Sequence, residues 1–363
     1  MSDSSTKAMI EMHKEDTAAP LFLTGFFRST PRNFHTTEEV ELDIIREDED
    51  VAIVVTDMSA GANLNEATRY TNKSFTPPVF KEAGVISAFS QIKRRAGQNP
   101  FEDPDFAANA AEEAMDVLHK IERKIHRSIE LQASQVLQTG VVTLTDSTGT
   151  TRYTLNYGLK SSHFVNSAVP WAEDGSTGNP LGDVSDLADD VRRDGKKRPS
   201  RLVFGSSAFR RFLANADVKA RLDNRSMQVG SVAPEVRGEG ATFQGWVWIG
   251  HYRFEMWTYD GFYKNPQSGD LVPFVADNSV IMLSDGARLD LSFGAIPSFL
   301  TPEQRVLDFL PARISNPERG MDISTASWMA QDGSALYVQA GTRPLCIPTA
   351  GDTFGCLTAL ADS

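Results

Sequence analysis

The stretch from Asp103 to Gly140 carries one apolar stripe at helical spacing, and a helix of that length must lie across a body larger than itself. The stripe runs Ala114, Leu118, Ile121, Ile125, Ile129 and Val136. Steps of three, four and their multiples keep these side chains on one face. Asp103-Pro104 opens the helix. Aspartate accepts from the free N–H groups of the first turn, and proline lacks a donor that would be orphaned there anyway. Gly140 closes it, because glycine takes the left-handed conformation without strain. At about 1.5 Å per residue the helix spans roughly 50 Å. Asp116 and Lys120 form an i,i+4 pair on its outer face. A coiled coil is the rival reading, and the heptad charge pattern is weak.

The residues before this helix lack a comparable core. Residues 1–18 are polar. Leu21-Phe22-Leu23-Thr24-Gly25-Phe26-Phe27 is a dense apolar cluster with two readings: a short core segment, or an anchor that docks on another subunit. Val40 to Phe80 reads as a long two-stranded ribbon. Val40, Leu42 and Ile44 alternate with other residues, Val51–Val55 is strongly β-prone, Ser59–Asn63 reads as the tip, and Arg69–Phe75 returns. Pro77-Pro78 ends it, since proline cannot donate to a ladder. A lone ribbon is marginal in water. The expectation is that ribbon and anchor bury their apolar surface against neighbouring copies.

After the helix, Val141–Thr145 and Arg152–Tyr157 form a hairpin, and Gly175–Gly182 is loop. A compact α/β body follows. Val184, Leu187, Ala188 and Val191 mark one helix face, Arg201–Phe204 a strand, and Ser206 or Ser207 the cap of a helix carrying Phe212 and Leu213. Further strands are expected at 246–249, 252–259, 279–283, 289–293, 324–329, 336–338 and 354–360, with Asp260-Gly261 as a turn.

The length of 363 residues favours two compact units. The formal net charge of -12 is a poor profile for gripping phosphate, though it suits a wall lying near nucleic acid. Two cysteines, Cys346 and Cys356, give neither a disulfide framework nor CxxC spacing. No apolar run approaches the ~18 residues of a membrane span. No chemistry stands out, and no catalytic, cofactor-binding or metal-ligating residue is expected. His119 and His126 are seven apart rather than the i,i+4 of a zinc pair. Gly205-Ser206-Ser207 lacks the second glycine of a nucleophile elbow, and Gly238-Glu239-Gly240 the third of a dinucleotide loop. The basic cluster Arg192, Arg193, Lys196, Lys197, Arg198 sits beside Asp189 and Asp190, so it is read as locally paired or as a contact to an acidic neighbour.

Four segments in order resemble the major capsid proteins of tailed bacteriophages, specifically their lambda-type branch. These are Pro20-Leu21-Phe22-Leu23 with Phe26-Phe27-Arg28, Ser74-Phe75-Thr76-Pro77, Asp103-Pro104 opening the long helix, and Phe274 to Leu283, where Ala276 stands in place of the usual proline. The resemblance spans essentially the whole chain. It implies an α+β tailed-phage major capsid fold of the Hong Kong 97 type. Its parts would be an N-terminal arm (1–40), an extended loop (41–92), a peripheral domain with the spine helix (93–180 and 313–363) and an axial domain (181–312). It further implies self-assembly as hexamers and pentamers into an icosahedral virion shell around double-stranded DNA, assembled in the host cytoplasm, without membrane or sequence-specific DNA binding. Scaffold and portal would be separate partners, and a decoration protein a further one. Some relatives join subunits through a lysine–asparagine bond; Lys73 lies in the loop region, but no positioned acid accompanies it, so crosslinking is not expected. The alternatives are an encapsulin-like compartment, which shares the fold, or a two-domain α/β enzyme.

Overall fold

The computed structural model describes residues 21–35, 37, 39–45, 70–88, 90, 106–223, 235–237, 240–296 and 323–360. The long helix is α1, Phe106–Thr139; its expected Asp103-Pro104 start lies outside the described residues. It stops where expected. Gly140 takes φ +69 and its N–H bonds to Val136 O at 3.0 Å. All six stripe residues are buried, together with Ala133 and Leu137.

Three strands precede α1: β1 (Val40–Ile45), β2 (Tyr70–Phe75) and β3 (Phe80–Ser87). β1 and β2 pair antiparallel from Val40↔Phe75 to Ile45↔Tyr70, so the expected ribbon exists at its base. Val51–Val55 and the Ser59–Asn63 tip lie outside the described residues. After α1 come the expected hairpin β4 (Val141–Thr145) and β5 (Thr151–Asn156), then β6 (Phe164–Asn166) and helix α2 (Pro180–Gly195). α2 begins inside the stretch read as loop: Asn179 caps it by accepting from Gly182 N–H, and Pro180 occupies the first turn.

β7 (Pro199–Phe204), helices α3 (Ser206–Ala214) and α4 (Ala216–Asp223), and strands β8 (Glu235–Arg237), β9 (Ala241–Ile249), β10 (Tyr252–Tyr259), β11 (Phe262–Lys264), β12 (Leu271–Pro273), β13 (Ser279–Ser284) and β14 (Leu289–Phe293) follow. The cap expected from Ser206 or Ser207 is not there. Gly205 is the N-cap with no side-chain bond, and Ser206 instead donates to Asp277 Oδ1 at 2.8 Å. The chain closes with β15 (Ser324–Met329), β16 (Ala335–Thr342), β17 (Pro344–Pro348) and β18 (Phe354–Thr358).

Seven strands form one mixed sheet in the order β6-β18-β13-β7-β10-β9-β8. Its central strands alternate between two hydrophobic cores. Leu202, Phe204, Val280, Met282 and Leu357 meet Val184, Leu187, Ala188, Val191 and Phe212 of the helices on one side. Val203, Ile281, Leu283, Phe354 and Cys356 join the core that contains the α1 stripe. Strand β9 crosses between them. Ala241 and Phe243 face the α1 core, yet Val247 and Ile249, of the same parity, face the other. The register slips where Met256 pairs with Gly245 and Trp257 with Phe243. That extra residue flips the side-chain phase, and Gly245 at φ +118 supplies a backbone conformation that a side chain would resist.

Beyond the sheet, β15, β16 and β3 form a three-stranded sheet on α1. Gly84 of β3 lies against the Val117 side chain, so the strand sits close to the helix because it has no Cβ there. β17 pairs along its whole length with β14, Leu289↔Pro348 to Phe293↔Pro344. It was not legible in sequence because its first and last residues are prolines, which read as breakers but are tolerated at strand ends.

Candidate functional site

For a chain with no expected chemistry, the functional question is which surfaces join copies. The N-terminal cluster is the first to place. Leu21–Phe26 forms a tight turn: Gly25 N–H bonds to Leu21 O at 3.0 Å and Phe26 N–H to Leu23 O at 3.1 Å. Phe22, Leu23 and Phe27 are buried in the α1 core of their own chain. Phe22 packs on Trp257 and Tyr259, with ring centroids 5.4 Å from each. The expectation that this cluster anchors on a neighbour is therefore corrected; the core-segment reading holds.

A buried carboxylate fixes the turn. Glu130, in the C-terminal third of α1, has no exposed surface. Its Oε1 accepts from Leu23 N–H at 2.7 Å and from the Tyr259 hydroxyl at 2.7 Å. Oε2 accepts from Thr24 N–H at 2.9 Å and from the Thr24 hydroxyl at 2.5 Å. All four partners donate, and of the side chains of this size only a carboxylate accepts from all of them. Burial pushes the Glu130 carboxyl above its ordinary range, opposed by these hydrogen bonds. The same charge, added to burial, raises the nearby Cys346 thiol. Sequence reasoning missed Glu130. The available signal was a charged residue directly beside Ile129, at the edge of the stripe.

The ribbon behaves differently. Among the described residues β1 and β2 pair only with each other. Val40 and Phe75, the pair nearest the body, are buried, and Phe75 packs on Tyr157 at 5.3 Å. The return to β3 is tied down: the Tyr153 hydroxyl donates to Thr76 O at 2.7 Å, and Arg343, nearly buried, donates to Pro77 O at 3.4 Å and to Ala295 O at 3.0 Å. Lys73 sits opposite Leu42 in the ladder.

The segment Phe274–Leu283, singled out in sequence, is a junction. Ser134 and Gln138 of α1 both donate to Phe274 O, and Gln138 Oε1 accepts from Ala276 N–H at 2.9 Å. Asp277 O receives Ala208 N–H at 2.8 Å from the first turn of α3, and Asn278 O receives Ala359 N–H at 2.8 Å. One short stretch thus ties the long helix, the α2–α3 layer and the chain end together.

His119 is exposed beside Glu122 at 3.7 Å, and no group of His, Cys, Asp or Glu is placed to hold a metal among the described residues. Arg193 pairs with Asp190 at 2.9 Å, Asp189 accepts from the Tyr252 hydroxyl at 2.7 Å, and Arg198 donates to His251 O while lying over the Tyr252 ring. The basic cluster is thus paired in part within its own chain. No helix among the described residues is long and apolar enough to cross a membrane.

No curated protein matches the chain. Among solved structures, a capsid protein assigned to a prophage of Escherichia coli CFT073 is similar at 16% identity, covering 94% of this chain and 93% of that one, with a TM-score of 0.59. A structure from Gordonia phage Cozz is similar at 10% identity, covering 97% and 90%, with a TM-score of 0.50. At these identities the likeness shows a shared fold. The model of the family described as phage major capsid protein E matches residues 6–355, nearly the whole chain. This chain therefore belongs to the phage major capsid protein E family, whose members are structural shell proteins and not enzymes.

Proposed function

We propose that this subunit, of the lambda-type branch, closes head-to-tail into rings of six and five that tile an icosahedral shell around double-stranded DNA. Assembly takes place in the host cytoplasm with a separate scaffold and a portal, and a decoration protein is a further partner. The acidic surface lets the shell lie near DNA without gripping it. Within this reading, residues 41–92 form the extended loop, 93–180 and 313–363 the peripheral domain, and 181–312 the axial domain. Residues 1–40 form the arm, although residues 21–27 stay on their own core.

The observation that carries the reading is the β1–β2 ribbon, a two-stranded ladder joined to no other strand among the described residues. Such a ladder gains stability from a cover, and a neighbouring copy supplies one. The test is to replace residues 46–69 with Asn-Gly. Ile45 and Tyr70 are directly paired, so a two-residue turn closes the hairpin. The expected product is folded and gives no rings or shells by light scattering and negative-stain microscopy, while the full chain does. Shells from the shortened chain, or a small discrete oligomer from the full one, would sink the proposal. Denaturing electrophoresis of assembled particles should show no covalent ladder.

A further inference from the structure

The β15-β16-β3 sheet has α1 on one face. Gly84 lies against Val117 of the helix, Ile86 is buried, and Glu82 pairs with Lys124 of the helix at 2.9 Å, so these alternate residues of β3 mark the covered side. The opposite side carries two rows that run straight across the three strands. Trp328 pairs with Tyr337 and Tyr337 with Val85; Ala326 pairs with Gln339 and Gln339 with Ala83. The Trp328 and Tyr337 rings stack at 5.4 Å, 9° from parallel, and Val85 is 59% exposed. An antiparallel sheet with one face on a core ordinarily turns polar residues outward. Here Lys81 is the only charged residue at the outward positions of the three strands.

Charge and size say what meets this face. The chain carries a formal net charge of -12, so two copies repel over most of their surfaces. They approach at least cost where carboxylates are missing, and the outward positions hold none. Strand spacing and length give the face roughly 300 Å². An exposed apolar patch of a few hundred Å² is often a contact site. It is still well short of the ~800 Å² per partner of an interface that stands alone. It therefore closes only between copies that other contacts already hold together, which is the situation within a shell of this family.

Resting on the shell reading above, we propose that the outer face of β15-β16-β3 docks on a second copy of the chain once assembly brings the two together. Val85 is replaced by p-benzoylphenylalanine, and the full-length protein is irradiated both dissociated and assembled. The assembled protein should give a crosslink at dimer mass that the dissociated chain lacks. A crosslink at monomer mass (the face covered by its own chain), one to a different protein, one equally strong in the dissociated chain, or none after assembly overturns the proposal. If the full chain forms only a small oligomer, the shell reading fails, and a dimer-mass crosslink within that oligomer still supports the contact. A second measurement uses Val85→Glu, which sets a carboxylate on the face at a largely exposed position and should leave the melting temperature unchanged. The protein concentration needed for assembly should rise about tenfold, since like charges then meet across the contact. An unchanged concentration would also overturn it.

Discussion

The N-terminal turn and the β1–β2 ribbon come from the same leading part of the chain, and both are rich in β-branched or aromatic residues, yet they end in different places. The turn buries Phe22, Leu23 and Phe27 in its own core. The ribbon has its buried pair, Val40 and Phe75, at the base. Apolar content alone does not separate them. The difference is a polar partner: Leu23 and Thr24 present two backbone N–H groups and a hydroxyl to Glu130. Buried donors need acceptors, so a carboxylate aimed at a tight turn fixes both its place and its orientation. The inward-facing N–H groups of β1 and β2 are satisfied by each other, and beyond the Val40–Phe75 base no other strand joins the ribbon among the described residues.

The largest expected effect comes from truncation. Deleting residues 1–20 should leave the cooperative unfolding transition in place. Deleting residues 1–30 removes three buried apolar side chains and strands Glu130 as a buried charge without its turn, so the soluble body should be lost. A truncation 1–30 that melts like the full chain would show that the turn is peripheral, and the contrast with the ribbon would collapse. A smaller effect is expected at Glu130 itself. Glu130→Gln puts an amide donor against donors and should cost about 3 kcal/mol by urea unfolding. Tyr259→Phe removes one of the four donors and should cost about 1 kcal/mol. If the two variants cost the same, the turn is not held by the carboxylate.

Two milder substitutions sharpen the packing side. Gly84→Ala drives a methyl into Val117 between β3 and α1, for an expected loss of about 1–3 kcal/mol. Gln132 is buried on α1 with neither amide atom bonded to protein. Gln132→Met keeps the volume and removes that burden, so it should raise stability by about 1 kcal/mol. A loss instead would mean that the amide has a partner in solution.

The regular parts of this architecture were readable. Helix α1, its stripe and its Gly140 stop follow from spacing and backbone conformation, which are local. The β4–β5 hairpin and the α2 face follow in the same way. What was not readable depends on distant partners. Phe22 and Leu23 look equally suited to a core or to a neighbour, and only Glu130, more than a hundred positions away, decides between them. Strand β17 needs β14 to make sense of its terminal prolines. The phase flip in β9 is a property of its pairing with β10 rather than of its own alternation.

The smallest expected effect is a pH slope at the joint between α2 and the β6 and β18 strands. Asp194 lies 3.0 Å from Lys160 Nζ and 3.2 Å from Nε2 of the buried His163, whose Nδ1 faces Phe354 O at 2.9 Å. The Lys160 hydrogen bond, aided by His163, holds the Asp194 carboxyl below the ordinary carboxylate range, against the opposing effect of burial. The folded state thus binds this proton less readily than the unfolded state. The stabilisation is fully present above the unfolded value and fades as pH falls through it toward the folded one. Asp194 is partly exposed, so the effect is modest and screened by salt. Unfolding midpoints measured from neutral pH down to about pH 3 should fall less steeply for Asp194→Asn than for the parent. Lys160→Met should give an intermediate slope. Identical slopes in all three would mean that acid sensitivity arises elsewhere, and that this joint, unlike the Glu130 turn, is held by packing alone.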